Sequence, residues 1–207
     1  MRLPEPIGRL TAATERLVLR PLQEDDRLEF ERVLRVSRDA WGPWTPAHDP
    51  SLSDAEIFRR EILRATHGAR AGTHLRLAAF TADGALAGLF ALNEIVRGVF
   101  QSAYASWQVA ADLVGRGYGT EGVSGLLALA FRDAPTGLGL HRVQANVMPA
   151  NAASLRIAEK AGFRREGLAR AYLKIAGAWE DHVMLATTRE EWGGGKSDEG
   201  IETAPTL

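Results

Sequence analysis

The chain has 207 residues, 45% of them hydrophobic and 25% charged, with a formal net charge of −1. That length suits one domain with its own core, and the near-neutral charge argues against a bulk electrostatic hold on nucleic acid. It has no cysteine, which excludes disulfides, thiolate metal sites and a cysteine nucleophile, so acyl transfer cannot pass through an enzyme thioester.

Residues 1–13 carry two prolines and little pattern and are read as an extended lead-in to a domain over 14–192. Leu17 to Arg20 reads as a first strand. The acidic run Glu24-Asp25-Asp26 opens a helix whose inner face takes Leu28, Phe30, Val33 and Leu34. Between Trp41 and Pro46 two tryptophans stand among prolines and break all periodicity, as either a cleft wall or a plug on the core. Ser53 and Glu56 form a capping box for a second helix through Phe58, Ile62 and Ala65. Leu75 to Thr81 and Leu86 to Ile95 are strands joined at Asp83-Gly84, a hairpin pair.

A strand ending at Val109 then meets Val114 to Glu121, where three glycines alternate ahead of an amphipathic run. Val123, Leu126, Leu127, Ala130 and Phe131 recur at helical spacing. Strand, glycine loop and helix N-terminus suit a phosphate, because the first helical N–H groups lack internal partners and the dipole favours an anion. A plain tight turn is the equally available reading. Neither the Walker spacing nor the dinucleotide fingerprint fits Gly115, Gly117 and Gly119.

After a loop over 133–140, Arg142 to Val147 is a strand. Asn151 caps the next helix, which stops at Ala161-Gly162-Phe163 in a Schellman pattern. Ala171 to Ile175 and Asp181 to Thr187 form a hairpin across Ala176-Gly177, and residues 193–207 read as a disordered tail. No run is apolar enough for a membrane span and the start lacks a signal-peptide core, so the expectation is a cytoplasmic protein without a membrane partner.

The glycine loop, the strand ending in Asn146, and Asn151 to Ser154 ahead of Ala161-Gly162-Phe163 resemble the GNAT superfamily of N-acetyltransferases. Gly117 and Gly119 match the glycines of the family pattern, while Val114 stands where that pattern has Arg or Gln. Asn93, Arg97-Gly98, Tyr104, His141-Arg142, Glu166-Gly167 and the span from Tyr172 to His182-Val183 carry the likeness further, to the ribosomal-protein alanine N-acetyltransferases. The resemblance implies an α/β (α+β) GNAT fold: a mixed, mostly antiparallel sheet with a splayed parallel strand pair, flanked by helices. It implies acetyl-CoA as co-substrate, its pyrophosphate on the backbone of Gly115, Arg116, Gly117, Tyr118, Gly119 and Thr120. Its pantetheine arm would lie near Val109 and Asn151, and a backbone N–H near Val109 would serve the oxyanion.

Direct acetyl transfer to an amine needs the ammonium deprotonated, the oxyanion stabilised and the thiolate protonated. Where some relatives carry a Tyr acid this chain has Ala158, and Ser154 is the alternative, with a helix-start role as its rival. Where some relatives carry a Glu base Asn146 stands, which cannot take a proton but can orient a water. Glu94 is the candidate base. Trp44, Tyr172 and Trp179 are candidates for the acceptor side, or core packing. His141 and His182 share no metal-ligand spacing and are read as structural, with no metal expected. The expected acceptor is the N-terminal alanine of a ribosomal protein. A small amine such as an antibiotic, polyamine or amino acid, and a non-catalytic acyl-CoA sensor, remain open, as does monomer or homodimer.

Overall fold

The computed structural model describes residues 7–46 and 49–193. One eight-stranded sheet organises it: β1 (Ala12–Ala13), β2 (Leu17–Arg20), β3 (Leu75–Thr81), β4 (Leu86–Val96), β5 (Ser102–Val109), β6 (Arg142–Val147), β7 (Arg164–Ile175) and β8 (Ala178–Thr188). Their spatial order is β1-β2-β3-β4-β5-β6-β8-β7, antiparallel throughout except for β5 beside β6. A parallel pair needs a crossover, and α3 (Tyr118–Phe131) supplies it. The expected sheet, with its single parallel pair and flanking helices, is the one observed.

Strand β3 shows how the layers form. Leu75, Leu77 and Ala79 point into the larger core, whereas Ala78 and Phe80 join a second one with Phe30, Val33, Leu34 and Phe58. Alternate residues on a strand face opposite ways, so the sheet is covered on both sides. The second core belongs to α1 (Arg27–Trp41) and α2 (Asp54–Ala71). Leu28, expected inside, is 70% exposed; two residues ahead of Phe30 it turns about 200° away from the buried stripe. On the other side α3 is apolar and buried almost all round. Gly122 explains how close it comes: a Cβ there would lie 2.2 Å from Phe90 Cζ.

Local signals read from the sequence are formed as expected. The Ser53–Glu56 capping box is present. Gly84 closes the β3–β4 hairpin at φ +85°, and Ala176 and Gly177 close β7–β8 with positive φ at both positions, as a type I′ turn requires. After α4 (Ala152–Lys160), Phe163 N–H donates to Ala158 O at 3.0 Å and Gly162 N–H to Glu159 O at 3.1 Å, the two bonds of a Schellman stop.

Several boundaries differ, among them the start of β8 at Ala178 instead of Asp181. The described part of the lead-in holds a 3-10 turn at Ile7–Arg9 and the edge strand β1. Strand β7 starts seven residues ahead of Ala171, at Arg164; it is an edge strand, mostly exposed and interrupted by register shifts, so it shows no alternation to read. Gly193 ends α5 (Arg189–Gly193), and the rest of the expected tail lies outside the described residues. No described helix is long and apolar enough to cross a membrane.

Candidate active site

The two parallel strands stay paired only from Ser102–Arg142 to Ala105–Ala145. Beyond that, β5 remains bonded to β4 through Val109 and β6 to β8 through Val147, so the pair opens into a wedge. Ala110 N–H donates to Ala87 O at 2.9 Å, which makes the next pair, Gly88 and Val109, a non-hydrogen-bonded one. The N–H and C=O of Val109 therefore face the wedge. Its carbonyl accepts from Trp41 Nε1 at 2.8 Å, leaving the N–H as the donor at that point.

A cleft of about 480 Å³ runs from this wedge to the N-terminus of α3. Gly115 and Gly117 hold φ of +79° and +85°, and Gly117 is the N-cap of α3. Glu121 N–H donates to the N-cap carbonyl, Gly117 O, at 3.1 Å, so the helix N–H groups ahead of it have no intrahelical partner and can meet an anion. No atom lies within 4 Å of a Cβ built at Gly115. Gly119 has a different reason to be glycine: a Cβ there would sit 2.6 Å from Ile157 Cδ1 and 3.1 Å from Val109 Cγ2. It lets α3, α4 and β5 meet and is not a loop residue.

Arg16 holds the loop in place. Its Nη1 donates to Arg116 O at 3.0 Å, its Nε to Glu121 Oε2 at 2.8 Å, and its guanidinium lies 4.8 Å from the Tyr118 ring centroid. Glu121 also accepts from Thr14 Oγ1 and Arg16 N–H. The one carboxylate in the first turn of α3 is thus turned back and neutralised, away from where an anionic ligand would meet the helix. Neither Thr14 nor Arg16 could be tied to a residue more than a hundred positions away by any local pattern.

Of the residues singled out from the sequence, Val109, Gly115, Gly117, Tyr118, Gly119, Thr120, Asn151, Asn146, Ser154 and Trp44 all line the cleft. Arg116 contributes its carbonyl to Arg16, and its side chain is not in the lining. Asn151 Oδ1 accepts from Ser154 N–H at 3.0 Å, so Ser154 has the expected helix-start position and also faces the cleft. Glu94, Tyr172 and Trp179 do not line it. The Glu94 carboxylate is 69% exposed and sits 3.5 Å from His74 Nε2; its residue lies at the irregularity between β4 and β5, with φ of 48°. Trp179 is 64% exposed on the β7–β8 hairpin. Tyr172 packs edge-on against His182, and burial, followed by its neighbour Tyr104, raises its phenol above the ordinary value.

His182, read from the sequence as structural, does line the cleft and is only 3% exposed. Its Nδ1 lies 3.0 Å from Glu180 O. A carbonyl can only accept, so Nδ1 carries a proton, and in the neutral imidazole the acceptor is Nε2. Among the described residues no cluster of His, Cys, Asp or Glu could hold a metal.

Residues 16–164 match the family described as acetyltransferase (GNAT) domain. The chain is 34% identical over 171 residues to the probable N-acetyltransferase YjcK of Bacillus subtilis, covering 82% of this chain and 92% of that one. It is 29% identical to the [ribosomal protein uS5]-alanine N-acetyltransferase of Escherichia coli, over 92% of this chain and 96% of the relative. Among solved structures, Mycobacterium smegmatis RimJ in complex with CoA-disulfide superposes with a TM-score of 0.80 at 27% identity, covering 92% of this chain and 91% of the other.

Proposed function

The chain belongs to the acetyltransferase (GNAT) family, and on that premise we propose that its acceptor is a protein α-amine, an N-terminal alanine by preference. The enzyme is an acetyl-CoA-dependent N-acetyltransferase. The observation that carries the acceptor is the lack of a carboxylate: the described lining of the cleft includes no Asp or Glu. A polyamine or aminoglycoside brings several ammonium groups, each stabilised by a nearby carboxylate. A peptide N-terminus brings one amine of pKa about 8, already partly neutral at physiological pH. The relationship to the uS5-alanine enzyme over nearly the full length of both chains supports the same choice.

Acetyl-CoA fits the residues present. Arg156 and Lys160, both in the lining, would meet its anionic end, and the N–H groups from Gly115 to Thr120 its pyrophosphate. Bound there, it supplies the activated acetyl group. In the transfer the ammonium gives up one proton, the freed amine nitrogen bonds the acetyl carbon, the carbon–sulfur bond breaks, the nitrogen loses a second proton and the departing sulfur gains one, so one proton is released overall. Val109 N–H serves the oxyanion, and the Ser154 hydroxyl supplies the proton to sulfur. With Glu94 outside the lining, His182 Nε2 takes the proton from the amine, directly or through water. The cytoplasm, where acetyl-CoA and new N-termini meet, is the compartment this reaction asks for.

Two measurements test this reading. In an equal-concentration competition among an alanine-starting peptide, an N-blocked peptide with an internal lysine, spermidine and an aminoglycoside, the free N-terminus is expected to win by at least about tenfold in kcat/KM. A tenfold preference for either small amine would overturn the protein-acceptor reading. Ser154→Ala is expected to lower kcat by about tenfold while CoA affinity stays unchanged, as for a group acting in the transition state. Equal kcat in the variant would leave Ser154 with only its place in the helix start.

A further inference from the structure

One face of β6 carries a chain of polar contacts that ends in the cleft. Arg142, Gln144 and Asn146 lie on the same side of the strand, opposite Val143, Ala145 and Val147 in the core. Arg142 Nη1 donates to Glu166 Oε1 at 2.8 Å, and its Nη2 to Gln144 Oε1 at 3.1 Å. Gln144 Nε2 donates to Asn146 Oδ1 at 2.9 Å. Gln144 is 7% exposed, and Asn146 stands one residue past the last β5–β6 pair, in the lining of the wedge.

The direction of this chain is set at its far end. A guanidinium has donors only and does not lose its proton; the Glu166 carboxylate holds it, and Glu166 is itself held below the ordinary carboxylate range by Arg142. Gln144 must therefore turn its oxygen to Arg142 and its amide nitrogen to Asn146. Asn146 must turn its oxygen to Gln144. Its NH₂ group is left for the cleft, with no hydrogen-bond partner among the described residues.

We propose that Glu166, Arg142 and Gln144 are positioning residues that lock Asn146 as a hydrogen-bond donor to a carbonyl oxygen bound in the wedge. This rests on the acetyl-transfer reading above. Two carbonyls can occupy that place: that of the thioester, which gains negative charge during transfer, and that of the first peptide bond of the acceptor. Either one asks for a donor. An acceptor at this position would instead hold the amine in its charged, unreactive form.

The test inverts the donor in two ways. Asn146→Asp keeps the shape and keeps the bond from Gln144 but presents an oxygen to the cleft. Gln144→Glu changes nothing in the lining; its carboxylate has no N–H to give, so Asn146 has to turn its NH₂ back and its oxygen outward. Both variants are expected to lose at least tenfold in kcat/KM for an alanine-starting peptide, with CoA affinity by calorimetry within threefold of the parent. Gln144→Met, which releases Asn146 without reversing it, is expected to lose about threefold, or ~0.65 kcal/mol. Loss shared with n-propylamine, which has no carbonyl, assigns the donor to the thioester oxygen. Loss confined to the peptide assigns it to the acceptor carbonyl. Undiminished turnover by Asn146→Asp overturns the donor role, and parent-like turnover by folded Gln144→Glu overturns the relay. If burying a carboxylate at 144 prevents folding, Asn146→Asp and side-chain amide NMR of the parent decide. The Gln144 Nε2 proton facing Asn146 should exchange slowly, and fast exchange overturns the relay independently of any turnover. A parent enzyme that releases no CoA with either amine would fault the acetyl-transfer reading alone, since the NMR readout does not depend on it.

Discussion

Gly117→Asp is expected to weaken CoA binding by about a hundredfold, or ~2.7 kcal/mol, with the fold retained. Gly117 is the N-cap of α3 at φ +85°, and the nearest atom to a Cβ built there is Arg16 Nη2 at 3.2 Å, the far end of a flexible side chain. Asp is among the residues that tolerate a left-handed backbone, so the cost falls on the ligand more than on the chain. A carboxylate at this point repels a pyrophosphate and competes for the helix N–H groups and for Arg16. Gly119→Asp is expected to fail in another way. Its Cβ meets Ile157 and Val109, so the first sign should be a lowered Tm, from overpacking worth about 1–3 kcal/mol. Calorimetry with CoA beside thermal melts separates the two. Native affinity in a folded Gly117→Asp would remove the glycine loop from the pyrophosphate site.

That contrast marks where sequence reading succeeds and where it stops. The capping box at Ser53, the turn at Asp83-Gly84, the type I′ pair at Ala176-Gly177 and the Schellman stop at Gly162 are contests settled within a few residues, so their signatures are local and legible. The three alternating glycines look alike in the sequence, yet Gly115 and Gly117 answer to backbone dihedrals and Gly119 to a side chain on a different helix. The glycine loop that the resemblance assigns to the cofactor lines the cleft, since a strand, a loop and a helix in succession stay together when folded.

The rest of the site is harder to read because it is built from parts remote in sequence. Trp41 bonds to Val109 across 68 positions, and Arg16 reaches Glu121 across 105. Glu94 is a carboxylate on a strand near the splay, but strand alternation and the irregularity at Asn93–Val96 put it beside His74. Tyr172 and Trp179 sit on the hairpin expected to border the acceptor, and only their neighbour His182 is in the lining. A lone histidine followed by Val183 gave no spacing by which to single it out; its signal is burial combined with one nitrogen committed to a carbonyl.

His182→Gln is therefore the substitution with the largest expected effect on catalysis: a fall in kcat of about 10²–10³, within the range for loss of a general base. The glutamine amide can still donate to Glu180 O and fill much of the same space, but it has no nitrogen lone pair with which to accept a proton. The sign of the pH effect follows. A general base acts only in its unprotonated form, so the acidic limb of the kcat–pH profile should be lost in the variant. CoA affinity should stay within a few-fold, because the glycine loop and Val109 are untouched. A purely structural histidine predicts the opposite combination. It ties β8 through Glu180 O and packs beneath Tyr172, so its loss would lower Tm and scale kcat at every pH without changing the profile. An intact acidic limb in a folded His182→Gln would move deprotonation to water or to the neutral fraction of the amine, which a pKa of about 8 makes substantial at neutral pH.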